Sequence, residues 1–440
     1  MRAAKIFGGL GGGWSRLGQR LGRRASLQRL GRRWFDRELL ALSPAVGYDE
    51  AQTTGLRDFL ICDGGEIPEP PEVFRRLRWG GQMLLVSEDA GSLLHAARVY
   101  RAYEGFEVEA GPHSFRTGLL GVSLPLVGRR RHYLVLRKVT LIEPGQDTDR
   151  FTFDLRLVKK PEFGEGYVVM KQVPRYRRVV TRLQTRFPEA TQDVLLARAE
   201  KLVKRVFPVF LTREAGFLQL IHRDLPAEYR GRVPEALGFE RAPDGTVKRL
   251  YMSWLRLGGQ PLSHMQFAQQ SAELLSVLHD QVGVIHLDLR LDNMVIHGGR
   301  VCFIDFGSSV RVGEEIEKSP LLSSLFEEMM NTSQIQRTMG RMRDAGRLTS
   351  DVIVSAHGKI DKAVDMFYLS LQISKPVSNP ELLPFIRFDP GSEVAQRIRL
   401  LTSAILRPSD PNRPHFISAR DVLAGLQRVE RKLSESSGAG

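Results

Sequence analysis

Within the stretch Val284–Gly307, reading VIHLDLRLDNMVIHGGRVCFIDFG, four residues have types and spacing that could do chemistry together: His286, Asp288, Asn293 and Asp305. A phosphoryl group passing from ATP to a hydroxyl needs a carboxylate at the acceptor and oxygen ligands for the magnesium that neutralises the phosphates. Asp288 suits the first task. Asn293 and Asp305 suit the second if the chain turns back between them, and Gly298-Gly299 ahead of the apolar run Val301–Ile304 supplies such a turn. The plain alternative is an ordinary hairpin carrying two exposed acidic residues.

His286-x-Asp288-x-x-x-x-Asn293 followed by Asp305-Phe306-Gly307 resembles the catalytic loop and metal-binding motif of the protein-kinase superfamily. The likeness extends over roughly 300 residues and is nearest to eukaryotic-type (bacterial-like) serine/threonine kinase domains. It implies an α+β, bilobal fold using ATP and Mg²⁺, with Asp288 as base, Arg290 neutralising the transferred group, and Asn293 and Asp305 as metal ligands. Lys171, ending the apolar run YVVMKQV, matches the lysine that holds the α and β phosphates. MSWLRLGG resembles the hinge between lobes, with Met252 as gatekeeper and Trp254 and Leu255 beside adenine. His286, Phe306, Gly307, Asp365 and Arg413 match structural positions of the family.

Glu214 is legible from its own surroundings. In LTREAGFLQLI, Leu211, Leu218 and Ile221 mark a helical stripe, and Glu214 falls on it at spacings of three and four. A carboxylate facing a core needs a cation to offset its desolvation. Lys171 is the partner the kinase resemblance implies; the competing reading is a glutamate at the stripe's margin reaching water. Val364–Leu371 is apolar nearly all round and reads as a buried helix, so Asp365 within it needs hydrogen bonds. In kinases the matching Asp holds the catalytic-loop backbone; an N-terminal helix cap competes with that reading.

The sequence departs from the family in several places. The glycine-rich loop is reduced to Gly145 in EPGQDTDRF, 43 positions separate Lys171 from Glu214, and no Ala-Pro-Glu lies between Gly307 and Asp365. Leu195, Ala199, Leu202 and Val206 give the long insertion an amphipathic helix of its own. Leu287 stands where many kinases carry the Arg that receives an activating phosphate. The expected activity is transfer of the ATP γ-phosphate to a protein Ser or Thr hydroxyl. A small-molecule, sugar or lipid acceptor is the alternative, and a non-catalytic binding module the third reading.

The rest of the chain frames this region. Residues 1–35 hold nine Lys or Arg and no acidic residue, so most of the net charge of +14 sits in a Gly- and Arg-rich tail suited to an anionic membrane surface or nucleic acid. Residues 36–128 read as a small α/β accessory domain, in which Leu60–Ser87 resembles the later strands of class I methyltransferases without their G-x-G turn. The small lobe is expected over 129–253, the large lobe over 254–432, and a disordered tail over 433–440. Cys62 and Cys302 form no metal or disulfide pattern, which fits a reducing cytosol with any membrane contact peripheral through the tail. No apolar run is long enough to span a bilayer.

Overall fold

The computed structural model describes residues 57–63, 67–117, 129–140, 153–314, 362–374, 376, 382, 385–405 and 418–438. The chain divides into two units, 1–148 and 149–440. The basic tail 1–35, Gly145 and Arg413 lie outside the described residues.

The first unit contains β1 (Arg57–Asp63), α1 (Pro70–Arg76), β2 (Leu77–Ser87), α2 (Ala90–Ala102), β3 (Phe106–Thr117) and β4 (Arg129–Lys138). Its sheet has the order β1-β2-β4-β3, with β1 and β2 parallel across the α1 connection and β4 antiparallel to both neighbours. Pro70 opens α1, where a missing N–H costs nothing, and Asp89 caps α2 by accepting from the Gly91 and Ser92 amides at 2.9 Å. The core packs Phe106 edge-on against Phe74 and Tyr100, together with Leu134 and Leu136 from β4.

β4 was expected to open the small lobe of the kinase-like region, whose start the sequence places at residue 129. The strand forms, but it lies inside the first sheet. Leu134, Val135 and Leu136 are all buried, as in a central strand covered on both faces. Arg137 donates to Glu109 and to the Gly80 carbonyl, and Lys138 Nζ donates to the Phe74 and Leu77 carbonyls. A short apolar run marks a strand without saying which sheet receives it.

The second unit opens with an antiparallel sheet of β5 (Asp154–Lys159), β6 (Tyr167–Gln172), β7 (Ala236–Arg241) and β8 (Val247–Ser253), in the order β5-β6-β8-β7. The long insertion after β6 forms α3 (Tyr176–Arg186), α4 (Gln192–Lys201), a π-helical turn at Leu202–Val206, and then α5 (Phe207–Asp224). Of these, α3 was not anticipated. Only Val179 and Leu183 of that helix are buried, and among so many arginines that stripe is faint. An ion pair from Arg178 to Asp154 in β5 ties it down.

The larger part follows as β9 (Leu262–Ser263), α6 (His264–Val277), β10 (Val284–Ile285), β11 (Met294–His297), β12 (Arg300–Phe303), β13 (Val310–Arg311), α7 (Ala363–Ser374), β14 (Ile386–Arg387), α8 (Glu393–Ile405) and α9 (Ala419–Gly438). A capping box between Ser263 and Gln266 starts α6, and a pairing of Ser418 with Asp421 starts α9. The end of α9 corrects an expectation. Residues read as a disordered tail continue the helix to Gly438, because no Gly or Pro interrupts it after Gly425 and each added turn extends an existing ladder. No helix among the described residues is long and apolar enough to cross a membrane.

Candidate active site

Asp365 is the foundation of the site. α7 is buried all round from Val364 to Ser370, so the carboxylate has no water to turn to. It accepts from the backbone amides of His286 at 2.6 Å and Leu287 at 2.8 Å, and from His279 Nε2 at 3.0 Å. These bonds hold Leu287 at φ +63°, a left-handed conformation that a leucine does not adopt unaided. Asp365→Ala leaves three buried donors orphaned. It is expected to cost about 3–5 kcal/mol of stability by denaturant unfolding of the full chain. A loss under about 1 kcal/mol would show that water replaces the carboxylate.

From that platform the loop places its side chains. His286 Nε2 donates to the Ile304 carbonyl at 3.0 Å and Nδ1 accepts from the Asp288 amide at 3.3 Å, a pairing that puts the ring proton on Nε2. Its ring lies against Phe306, with centroids 4.7 Å apart. Asn293 Nδ2 donates to the backbone and carboxylate oxygens of Asp288 at 2.8 and 2.9 Å. The Asn293 side-chain oxygen is thereby turned away from Asp288 and left for another partner. Arg290 grips the same carboxylate through Nε at 2.9 Å and Nη2 at 3.3 Å. Burial raises the Asp288 pKa above the ordinary value, with Arg290 opposing.

The β11–β12 hairpin returns the chain to this point. Gly298 and Gly299 take φ of +57° and +75°, the paired positive values of a tight hairpin turn, and Met294 faces Phe303 across the ladder. Asp305 follows at φ +65° and meets Lys171 Nζ at 2.9 Å. Lys171 also pairs with Glu214 at 2.7 Å. The marginal, water-facing reading of Glu214 is excluded: its side chain is 2% exposed. Gly307 lies so close to α5 that a Cβ there would meet Phe210 at 3.1 Å and Glu214 at 3.8 Å.

The electrostatics of this trio are coupled. Burial pushes the Glu214 carboxyl up to about 7 against the pull of Lys171. Burial works against the Lys171 ammonium too, but Asp305 and Glu214 outweigh it and hold its pKa above the ordinary value. Desolvation alone would raise Asp305; Lys171 overrides it and holds that carboxyl below the ordinary value. With Lys171 charged between two carboxylates, the ionised cluster carries one excess negative charge, and the Asn293 amide adds a neutral oxygen donor. That donor set fits Mg²⁺, which takes one or two protein oxygens and completes its shell with phosphates and water.

Met252 is buried in β8 opposite Val169 of β6, on the strand that leads to Trp254 and Leu255. Sequence reasoning missed His279 and Phe210. Both sit at helical spacing on buried stripes, and Phe210 is one turn before Glu214.

Residues 228–311, which include the whole of this loop and hairpin, match the model of the phosphotransferase enzyme family APH. The chain is protein-kinase-like. Over 58 residues it is 38% identical to the probable serine/threonine-protein kinase YbdM of Bacillus subtilis (strain 168), which covers 13% of this chain and only 22% of that protein. Among solved structures it is similar to the Toxoplasma gondii specific rhoptry antigen kinase domain. The TM-score there is 0.38 at 15% identity, over 75% of this chain and 89% of the other.

Proposed function

We propose that this kinase-like chain transfers the γ-phosphate of ATP to a serine or threonine hydroxyl of a protein. The observation that carries the reading is the convergence of Lys171, Glu214, Asp305, Asn293 and Asp288 from four separate elements. Lys171 holds the α and β phosphates and is itself held by Glu214. Asn293 and Asp305 hold Mg²⁺, which neutralises charge building on the phosphates. Asp288 accepts or orients the acceptor's proton, and Arg290 keeps that carboxylate in place. The name of the Bacillus subtilis relative supports a Ser/Thr acceptor. A small-molecule hydroxyl is the second reading, favoured by the phosphotransferase family match and by the missing Ala-Pro-Glu. Radiolabelled ATP offered with the protein alone, then with generic protein, sugar and lipid acceptors, separates the two. No Mg²⁺-dependent nucleotide binding at all would move the assignment to a non-catalytic module.

The pH dependence has a definite sign. Glu214 must be ionised to hold Lys171, and its pKa in the free protein is pushed up to about 7. The active form is therefore present above that value and lost as pH falls through it. kcat/KM for ATP, which reports the free enzyme, should fall about tenfold per pH unit on the acid side. Glu214→Gln cannot titrate and should lack this limb. An unchanged limb in Glu214→Gln would assign it to another group.

A further inference from the structure

Arg213 precedes the lysine's partner Glu214 on α5, yet the site as described makes no use of it. Its Nη2 donates to the Ser309 carbonyl at 2.6 Å, across 96 positions of sequence. The guanidinium lies 5.3 Å from the Phe217 ring, and its Nε is buried without a hydrogen-bond partner among the described residues. Beyond Ser309 the backbone is held by the strand that leads into the His286–Asn293 loop. Val310 and Arg311 pair with Ile285 and Val284, and the Val312 amide donates to the Gly283 carbonyl at 2.9 Å. Before Ser309, Gly307 packs on Phe210 and Glu214. Arg213 therefore grips the backbone where one set of supports ends and the other begins.

Among the described residues beside this contact, phosphorylation offers no substitute. Leu287, the loop residue that could have met a phosphate, is apolar and 1% exposed, and Ser309 is fully buried. We infer that Arg213 is a positioning residue, a latch that ties the segment after Asp305-Phe306-Gly307 to the helix carrying Glu214. It holds Lys171, Glu214 and Asp305 in register without an added phosphate. The charged donor suits the task, since a hydrogen bond from a guanidinium is stronger than one between neutral groups. The inference rests on the phosphotransfer reading for its purpose, though the latch itself can be tested without it.

The test compares full-length wild type, Arg213→Met, which keeps the apolar stem over Phe217, and Arg213→Lys, which keeps one donor. Hydrogen exchange is followed at the Ser309 and Val310 amides, with those of the β11–β12 hairpin as internal reference. Equilibrium binding of a fluorescent ATP analogue is measured with and without Mg²⁺. In Arg213→Met the segment's exchange is expected to quicken, and the Mg²⁺-bound nucleotide to bind more weakly, each about tenfold, the scale of one charge-assisted hydrogen bond. The hairpin amides and metal-free binding should stay unchanged, with Arg213→Lys in between. Unchanged protection at Ser309 and Val310 overturns the latch. So does a uniform rise in exchange that includes the hairpin, which would make Arg213 a general stabiliser. If the wild type binds no Mg²⁺-nucleotide, the phosphotransfer reading fails while the exchange result still decides the latch.

Discussion

Asp288→Asn should reduce phosphoryl transfer by about 10²–10⁴-fold, the range a positioned acid–base group supplies, while nucleotide affinity stays close to that of the wild type. The structure gives three reasons to expect the effect to fall on turnover. First, Asp288 forms no ion pair with Lys171, and Asn293, which does bond to the Asp288 carboxylate, keeps its second bond to the Asp288 backbone carbonyl, so the parts assigned to the nucleotide stay in place. Second, the loop backbone at this point is held by Asp365 through His286 and Leu287, and by Asn293 through the Asp288 carbonyl, so the exchange of oxygen for nitrogen leaves the fold in place. Third, asparagine has almost the same shape but no basic oxygen, and it gives Arg290 no anion to hold. Single-turnover rates and nucleotide titration of the same preparation make the comparison. A variant that transfers phosphate within a few-fold of the wild-type rate would remove Asp288 from the chemistry.

Asp305→Ala should abolish the dependence of ATP affinity on Mg²⁺, weakening Mg²⁺-ATP binding by about 100-fold or ~2.8 kcal/mol. In the wild type the ionised trio of Lys171, Glu214 and Asp305 carries one negative charge more than positive. It needs a cation before it can accept anionic phosphates. With alanine at 305, Lys171 and Glu214 remain a balanced buried pair, so the fold should survive although the proposed metal ligand is gone. β8, ending at Ser253, is unchanged, and residual metal-free binding should persist. Calorimetric titration with and without Mg²⁺, beside a thermal melt, tests both halves. A variant that keeps its Mg²⁺ dependence would place the metal on other oxygens.

How far the sequence could carry this reading varied with the range of the interaction. The order His286, Asp288, Asn293, Asp305 with a glycine turn between is a local pattern, and its meaning depends only on a hairpin closing at Gly298-Gly299. Glu214 was legible as buried because helical periodicity is local too, and a desolvated carboxylate must be answered by a cation. The start of α9 at Ser418 and Asp421 is of the same kind. What lay beyond the sequence were pairings between distant segments. The kinase resemblance implied that Asp365 would hold the loop backbone, but nothing in the sequence says that His279 will join it, and a left-handed leucine at 287 cannot be foreseen without those bonds. Arg213 looks like any exposed arginine until the carbonyl of Ser309 arrives from 96 positions away. β4 shows the same limit at the level of a sheet. The amino-acid sequence by itself marked a strand from Tyr133 towards Glu143, because an apolar run with branched side chains acts within a few residues. Only the tertiary structure decided that it would lie between β2 and β3, because strand pairing is chosen by which apolar face closes over it and which carbonyls can receive Arg137 and Lys138.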